Sequence, residues 1–262
     1  MLYKIMPAKK KKEEIGMEEE KRGFSQEEID HFCEELKRFN SPLVYDALFF
    51  KYGLRNQILR KEVKPVLRDM KMAGPALTVR GNVKAVSLDE EFDRAGRGPL
   101  GGMWVRVADM VEEHPNCIVC VQPGYTEVSV LGDILGMTWK YAGMQGLVCD
   151  GPVRDTQGFL EENIPVFCTD TFPICAEGHW QMLEGNEPLW MHGQLGEVLV
   201  NPGDFIFGDS DAVLIIPKEC VEGVIEDCLK RAGNETVTKQ SIREGMKARE
   251  LWGRDGHGGQ IG

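Results

Sequence analysis

The sequence predicts an α/β fold, and three stretches carry that expectation. The first is a strand, helix and strand in succession. Cys117 to Gln122 is a short apolar run ending at Pro123-Gly124, and Ile134, Leu135, Thr138, Trp139 and Ala142 then recur at helical spacing. Gly143 and Gly146 close that helix, and Leu147-Val148-Cys149 is a second short apolar run. Two strands joined by one helix make a parallel crossover unit. The second stretch is a β meander: Val198 to Val200, Phe205 to Phe207 and Ala212 to Ile216, separated by Pro-Gly-Asp and Gly-Asp turns. The third is a pair of helical flanks, before residue 53 and after residue 220.

The elements follow in order. Lys9 to Lys12 and the glutamates Glu13, Glu14, Glu18, Glu19 and Glu20 make residues 1–23 a charged tail of the solvated or flexible kind. Ser25 with Glu28 is a capping-box pattern, and Ile29, Phe32, Leu36 and Phe39 mark one buried helix face. Asn40-Ser41-Pro42 breaks that helix, and a second runs from Val44 to Tyr52, ending at Gly53. Residues 54–75 are a basic connector. Strands are expected at Pro75 to Val79 and around Val83 to Leu88, then a loop from Asp89 to Gly102 and a helix over Trp104 to Glu113. After the crossover unit come a short helix at Phe159-Leu160 and a strand from Ile164 to Cys168. Residues 170–196 are rich in Pro and Gly and are read as irregular. Val221, Val224, Ile225, Cys228 and Leu229 form a helical stripe ending near Gly233-Asn234, with another helix from about Val237 to Leu251. Residues 253–262 form a glycine-rich flexible tail. With no internal repeat and no linker, residues 24–252 are expected to be one domain.

Composition narrows the classes of function. The 262 residues are 42% hydrophobic, enough for a sizeable core, and the formal net charge is −11. That balance speaks against nucleic-acid binding, which relies on Lys and Arg against phosphates. It also repels an anionic ligand unless a local cation compensates. Eight cysteines lie mostly inside apolar runs, and no secretory signal is recognisable before them, so a reduced cytoplasmic protein is expected. No stretch approaches the ~20 apolar residues of a membrane span.

Chemistry concentrates beyond the carboxyl ends of the two crossover strands, the edge where such units bind ligands. Gly132 and Asp133 open the helix; Asp150, Arg154 and Asp155 follow the second strand. Helix-start amides are unpaired donors that suit a carboxylate or keto oxygen. Arg154 adds a planar fork matched to a carboxylate. Asp133 and Asp155 are hard oxygen ligands of the sort magnesium or manganese takes. Each residue also has a plain structural reading: Asp155 as a helix cap, Arg154 as a salt-bridge partner, Asp133 as a first-turn acid favoured by the helix dipole, Asp150 as a turn former. Cys117-x-x-Cys120 lies within a strand and lacks a second pair at zinc spacing. His179 and His192 fall in the segment read as irregular, where a lone histidine seldom meets a ligand.

The spacing Asp133, twenty intervening residues, Arg154, Asp155 resembles the signature of the class II pyruvate aldolases of the RraA-like family. Further landmarks occur in family order: Pro42 to Leu48, Met72 to Val79, Gly146 to Asp155, Pro165-Val166-Phe167, Val200 to Asp204, Gly208-Asp209 and Ile215-Ile216-Pro217. The likeness spans roughly residues 41–250. It implies a swivelling β/β/α-type sandwich assembled as a trimer or a dimer of trimers. It implies Mg2+ or Mn2+ held directly by Asp155 and through water by Asp133. It gives the keto acid to Arg154 and to the amides of Gly132, Asp133, Ile134 and Leu135, with Arg154 and Asp133 catalytic. A further acidic group is expected from a neighbouring subunit; Glu235 is the position chosen, with Glu226 and Glu244 as alternatives. The implied reaction cleaves a 4-hydroxy-2-oxo acid to pyruvate and a second carbonyl compound, with oxaloacetate decarboxylation through the same enolate. The family also holds non-catalytic regulators of ribonuclease E, and an enzyme of this scaffold acting on a different small acid is a third reading.

Overall fold

The computed structural model describes residues 23–83, 101–124, 128–177 and 179–252. The expected tails, apart from Gly23, lie outside them, as do residues 84–88 of the expected second strand and most of the loop at 89–102.

In chain order the elements are α1 Gln26–Lys37, α2 Ser41–Tyr52, β1 Lys64–Pro65, β2 Met72–Val83, α3 Gly101–Glu113, β3 Ile118–Gln122 and α4 Asp133–Ala142. They continue as β4 Gly146–Cys149, β5 Pro152–Val153, α5 Thr156–Glu161, β6 Val166–Cys168, β7 Asp170–Thr171, β8 Trp180–Gly185, β9 Leu189–Gly193 and β10 Gly196–Val200. Last come β11 Phe205–Gly208, β12 Val213–Ile216, a 3-10 turn at Lys218–Cys220, α6 Val221–Arg243 and α7 Ala248–Trp252.

The principal sheet runs β1-β6-β4-β3-β2-β11-β12, with β8 also paired to β2. Pairs β2–β3, β3–β4 and β4–β6 are parallel, and the β11–β12 hairpin joins β2 antiparallel. The α/β expectation therefore holds, with the crossover unit at the centre of the sheet.

Strand alternation assigns each face its partner. Val119, Val121, Leu147, Cys149 and Val166 point to one side, where they pack with Trp104, Val107 and Val111 of α3, Trp139 of α4 and Phe159 of α5. Ile118, Cys120, Val148 and Phe167 point to the other, onto Leu189 and Met191 of β9 and Val198 and Val200 of β10. The alternate residues Phe205, Phe207, Leu214 and Ile216 of the β11–β12 hairpin face a third cluster with α1, α2 and the first turns of α6. Helices thus cover one face of the parallel strands and a β-hairpin the other.

Local chemistry explains the helix ends. Ser25 Oγ accepts from Glu28 N while Glu28 Oε2 accepts from Ser25 N, so the capping box is complete. Asn40 Oδ1 caps α2 at Leu43 N, and Gly53 closes it at φ 71°.

Three expectations need correction. Residues 170–196 are not irregular: β7, β8 and β9 lie there, and β8 pairs with the second half of β2. Apolar residues on the exposed side, Leu183 and Trp190, and the turn formers between the strands hide the alternation. The strand expected to end at Val79 continues to Val83 because β8 pairs with it. The break expected at Gly233-Asn234 is absent, and α6 runs unbroken for 23 residues. An interior glycine costs a helix only about 1 kcal/mol, and Arg231–Asp227 and Lys239–Glu235 pairs at helical spacing flank it. Cys117 and Cys120 point to opposite faces of the sheet and cannot share a metal. Among the described residues no helix is long and apolar enough to cross a membrane.

Candidate active site

The site forms where three chain segments are tied together at the carboxyl edge of β3 and β4. Arg154 N donates to Leu131 O at 2.9 Å, Ser129 N to Ile174 O at 2.8 Å and Phe172 N to Val153 O at 2.9 Å. Ser129 Oγ also donates to Phe172 O. The segment 129–132, the β5 tip and the stretch after β7 therefore hold one another in register, and α4 and α5 start from this knot.

Gly132 occupies the cap position of α4 with extended backbone, φ −129° and ψ 178°, and supplies no side-chain cap. Asp133 is the first residue of the helix, and its Oδ1 accepts from Ile134 N at 2.7 Å. That bond removes the Ile134 amide from the expected carboxylate cradle; the other first-turn amides have no carbonyl four residues back to satisfy them. Asp155 stands before α5 with left-handed backbone, φ 58° and ψ 39°, and its side chain makes no cap hydrogen bond. Its carboxylate instead lies beside Arg154, with Oδ2 at 3.1 Å from Nε. Both side chains are about two-fifths exposed, so solvent screens the pair and it contributes little to stability.

Two glycines make room for the two carboxylates. A Cβ on Gly132 would collide with Asp155 Oδ2, and a Cβ on Gly158 would collide with Asp133 Oδ2. The cap of α4 thus leaves space for Asp155, and the first turn of α5 leaves space for Asp133. Gly132, Asp133, Arg154 and Asp155 line a hollow of about 170 Å³. Trp104, Val130, Leu131, Leu135 and Ala176 add apolar lining, and Ser129 and Cys175 line it too. The exposed side chain of Ile134 stands at its rim. Residues read from sequence as site candidates on two loops thus share one small cavity. Glu235 is not among the residues that line the hollow; it lies on the exposed second half of α6, paired with Lys239 Nζ at 2.6 Å.

The acids can be tested against a resident cation. Among the described residues no group of three His, Cys, Asp or Glu side chains gathers as a metal cage. Two carboxylates with space opened for them fit magnesium or manganese, which keep waters and substrate oxygens in their shells. They do not fit a closed zinc site, which takes four protein ligands.

Sequence reasoning passed over two features. Trp104 comes from α3, where its helical spacing reads as core. Asp150, expected as a turn former, has a fully buried side chain that lies between Arg60 and His192. Arg60 Nε donates to its Oδ1 at 2.7 Å, and His192 Nδ1 lies 2.6 Å from its Oδ2. Backbone N of His192 also donates to Oδ2 at 3.0 Å. No motif links residues 60, 150 and 192.

Comparison with known proteins bears on the family of the chain. The RraA-like family model, described as Aldolase/RraA, matches residues 41–215. The chain belongs to the RraA-like family. Protein DlpA of Legionella pneumophila is 30% identical over 219 residues, covering 83% of this chain but 32% of its own length. The chain therefore spans about a third of that relative. A Halalkalibacterium halodurans protein named "Putative 4-hydroxy-4-methyl-2-oxoglutarate aldolase" is 29% identical over 229 residues, covering 86% of this chain and 94% of that one. Among solved structures, RraAS2 of Streptomyces coelicolor, described as an unusual member of the RNase ES inhibitor RraA protein family, aligns with a TM-score of 0.66 at 24% identity. It covers 81% of this chain and 98% of its own, and at that identity the likeness bears on the RraA-like fold alone.

Proposed function

We propose that this RraA-like protein is a divalent-metal-dependent carbon–carbon lyase that cleaves a 4-hydroxy-2-oxo acid to pyruvate and a second carbonyl compound, with oxaloacetate decarboxylation as a related activity. One observation carries the reading: Asp133, Arg154, Asp155 and the start of α4 line a single small hollow. The aldolase name of the Halalkalibacterium relative supports the same reaction class.

Each residue then has a chemical task. Arg154 grips the substrate carboxylate or keto oxygen with its guanidinium fork, supplying positive charge that a chain of net charge −11 otherwise lacks. The first-turn amides of α4 beside Gly132, Asp133 and Leu135 face the same anionic end. Asp155 would hold Mg2+ or Mn2+, with Asp133 acting on it through water. When bound, the ion polarises the keto oxygen as a Lewis acid. As the C3–C4 bond breaks, negative charge builds on the pyruvyl fragment, and Arg154 stands where that charge appears. The apolar lining keeps bulk water from the enolate. The reading includes a trimer or a dimer of trimers, with Glu235 of the partner subunit as a further acidic group; exposed Val237 and Ile242 on the same half of α6 are consistent with a covered surface there.

The test is pyruvate release from 4-hydroxy-4-methyl-2-oxoglutarate and from oxaloacetate, with magnesium, with manganese and with chelator. Metal-dependent release of pyruvate from either is the expected result. Absence of turnover of both by the metal-loaded protein would remove the lyase reading and leave a protein-binding role or another acid substrate.

A further inference from the structure

The hollow that holds Arg154 and Asp155 offers a ligand a surface made mainly of carbon. Ile134 and Leu135, in the first turn of α4, supply it together with Val130, Leu131 and Ala176. A single exposed apolar side chain on a surface needs no explanation. Ile134, which is 75% exposed, does not stand alone: Leu135 beside it is partly exposed and lines the same hollow. Hydrocarbon on a ligand takes such surface out of water, and the gain grows with the apolar area covered.

Charge points the same way. Among the described residues that line the hollow, Arg154 is the one cation, against the acids Asp133 and Asp155. The chain as a whole carries a net charge of −11. In the lyase reading the 2-oxo acid group occupies Arg154. A second carboxylate on the same ligand then meets carbon or another carboxylate, and gives up its water without gaining a partner. An alkyl group in that place carries no such cost.

We infer that the substrate is a 4-hydroxy-2-oxo monocarboxylic acid with a hydrocarbon substituent on C4, and that Ile134 and Leu135 are its specificity-determining contacts. This inference rests on the lyase reading of the hollow and deepens it by naming the class of acid. C4 then leaves as an alkyl aldehyde or ketone. The dicarboxylic acids 4-hydroxy-4-methyl-2-oxoglutarate and oxaloacetate are weaker substrates of the same site.

The test is calorimetric titration of the full chain, with magnesium present, by acids that lack the 4-hydroxyl: pyruvate, 2-oxobutanoate, 2-oxopentanoate and 2-oxoglutarate. The last two have the same chain length and differ in the terminal carboxylate. Affinity is expected to rise about threefold with each added methylene, and 2-oxopentanoate to bind about tenfold tighter than 2-oxoglutarate. Ile134→Ser, at an exposed position, is expected to flatten the rise, and Ile134→Arg to narrow the gap to 2-oxoglutarate. Equal binding of 2-oxoglutarate and 2-oxopentanoate by the wild type, or affinity that does not rise with chain length, overturns the inference and leaves the lyase reading in place. A rise that is unchanged in Ile134→Ser, with a sedimentation coefficient that falls, makes Ile134 a contact between copies and overturns its role here. Binding of none of the acids overturns the lyase reading, and this inference with it.

Discussion

Gly132 and Asp155 sit so close that the missing Cβ of the glycine is the space in which the carboxylate lies. The backbone at Gly132 is extended, so alanine brings no φ strain there. Gly132→Ala should therefore fold nearly as well as wild type yet displace Asp155, with at least a tenfold loss of pyruvate-forming activity. Gly136→Ala is the contrast: its Cβ would meet Phe159 Cε1 at 2.5 Å in the core, and thermal unfolding should show a loss of about 1–3 kcal/mol.

Arg154→Lys keeps the charge and loses the fork. Pyruvate binding, followed by calorimetry with magnesium present, should weaken tenfold or more. The melting temperature should stay within a degree or two, because the exposed Arg154–Asp155 pair contributes at most about 1 kcal/mol.

Asp150 ties three distant segments together. Removing it leaves Arg60 and His192 without their buried acceptor. Asp150→Ala should cost about 2–4 kcal/mol in urea unfolding, somewhat below the ~3–5 kcal/mol of a fully buried pair because the Arg60 and His192 side chains are partly exposed. An unchanged midpoint would mean that these bonds contribute no net stability.

Seven of the eight cysteines are buried, and Cys175, which lines the hollow, is the exception. Burial pushes the Cys33, Cys117, Cys168, Cys220 and Cys228 thiols up to about 12 and raises Cys120 and Cys149 as well. Near pH 8 a thiol of pKa 12 is only ~0.01% thiolate, and the thiolate is the reactive form. A disulfide reagent should thus label one thiol in the native protein and eight after unfolding, and pyruvate should slow the native reaction. Rapid labelling of several native thiols would contradict the packing described.

Much of this was legible in the chain. The apolar period around Trp139 and the glycines at 143 and 146 marked the crossover unit, and strand-end chemistry located Gly132, Asp133, Arg154 and Asp155. The likeness to RraA-like proteins supplied the overall fold, which periodicity alone did not. What escaped was non-local. β8 exists because β2 offers it an edge, and no residue between 180 and 185 announces that pairing. The Arg60–Asp150–His192 contacts span 90 and 42 residues. Trp104 reached the hollow from α3, where an aromatic at helical spacing looks like core, as most of its ring is.

The central claim is that Asp155 and its neighbours grip one cation and one small acid together. The direct measurement is Mn2+ binding by electron paramagnetic resonance, on wild type and on Asp155→Asn, with and without pyruvate. The account predicts a stoichiometric site in the wild type, tightened by pyruvate, and a loss of affinity of tenfold or more in the variant. Equal Mn2+ affinity in the two proteins, or a wild-type spectrum indifferent to pyruvate, would contradict it.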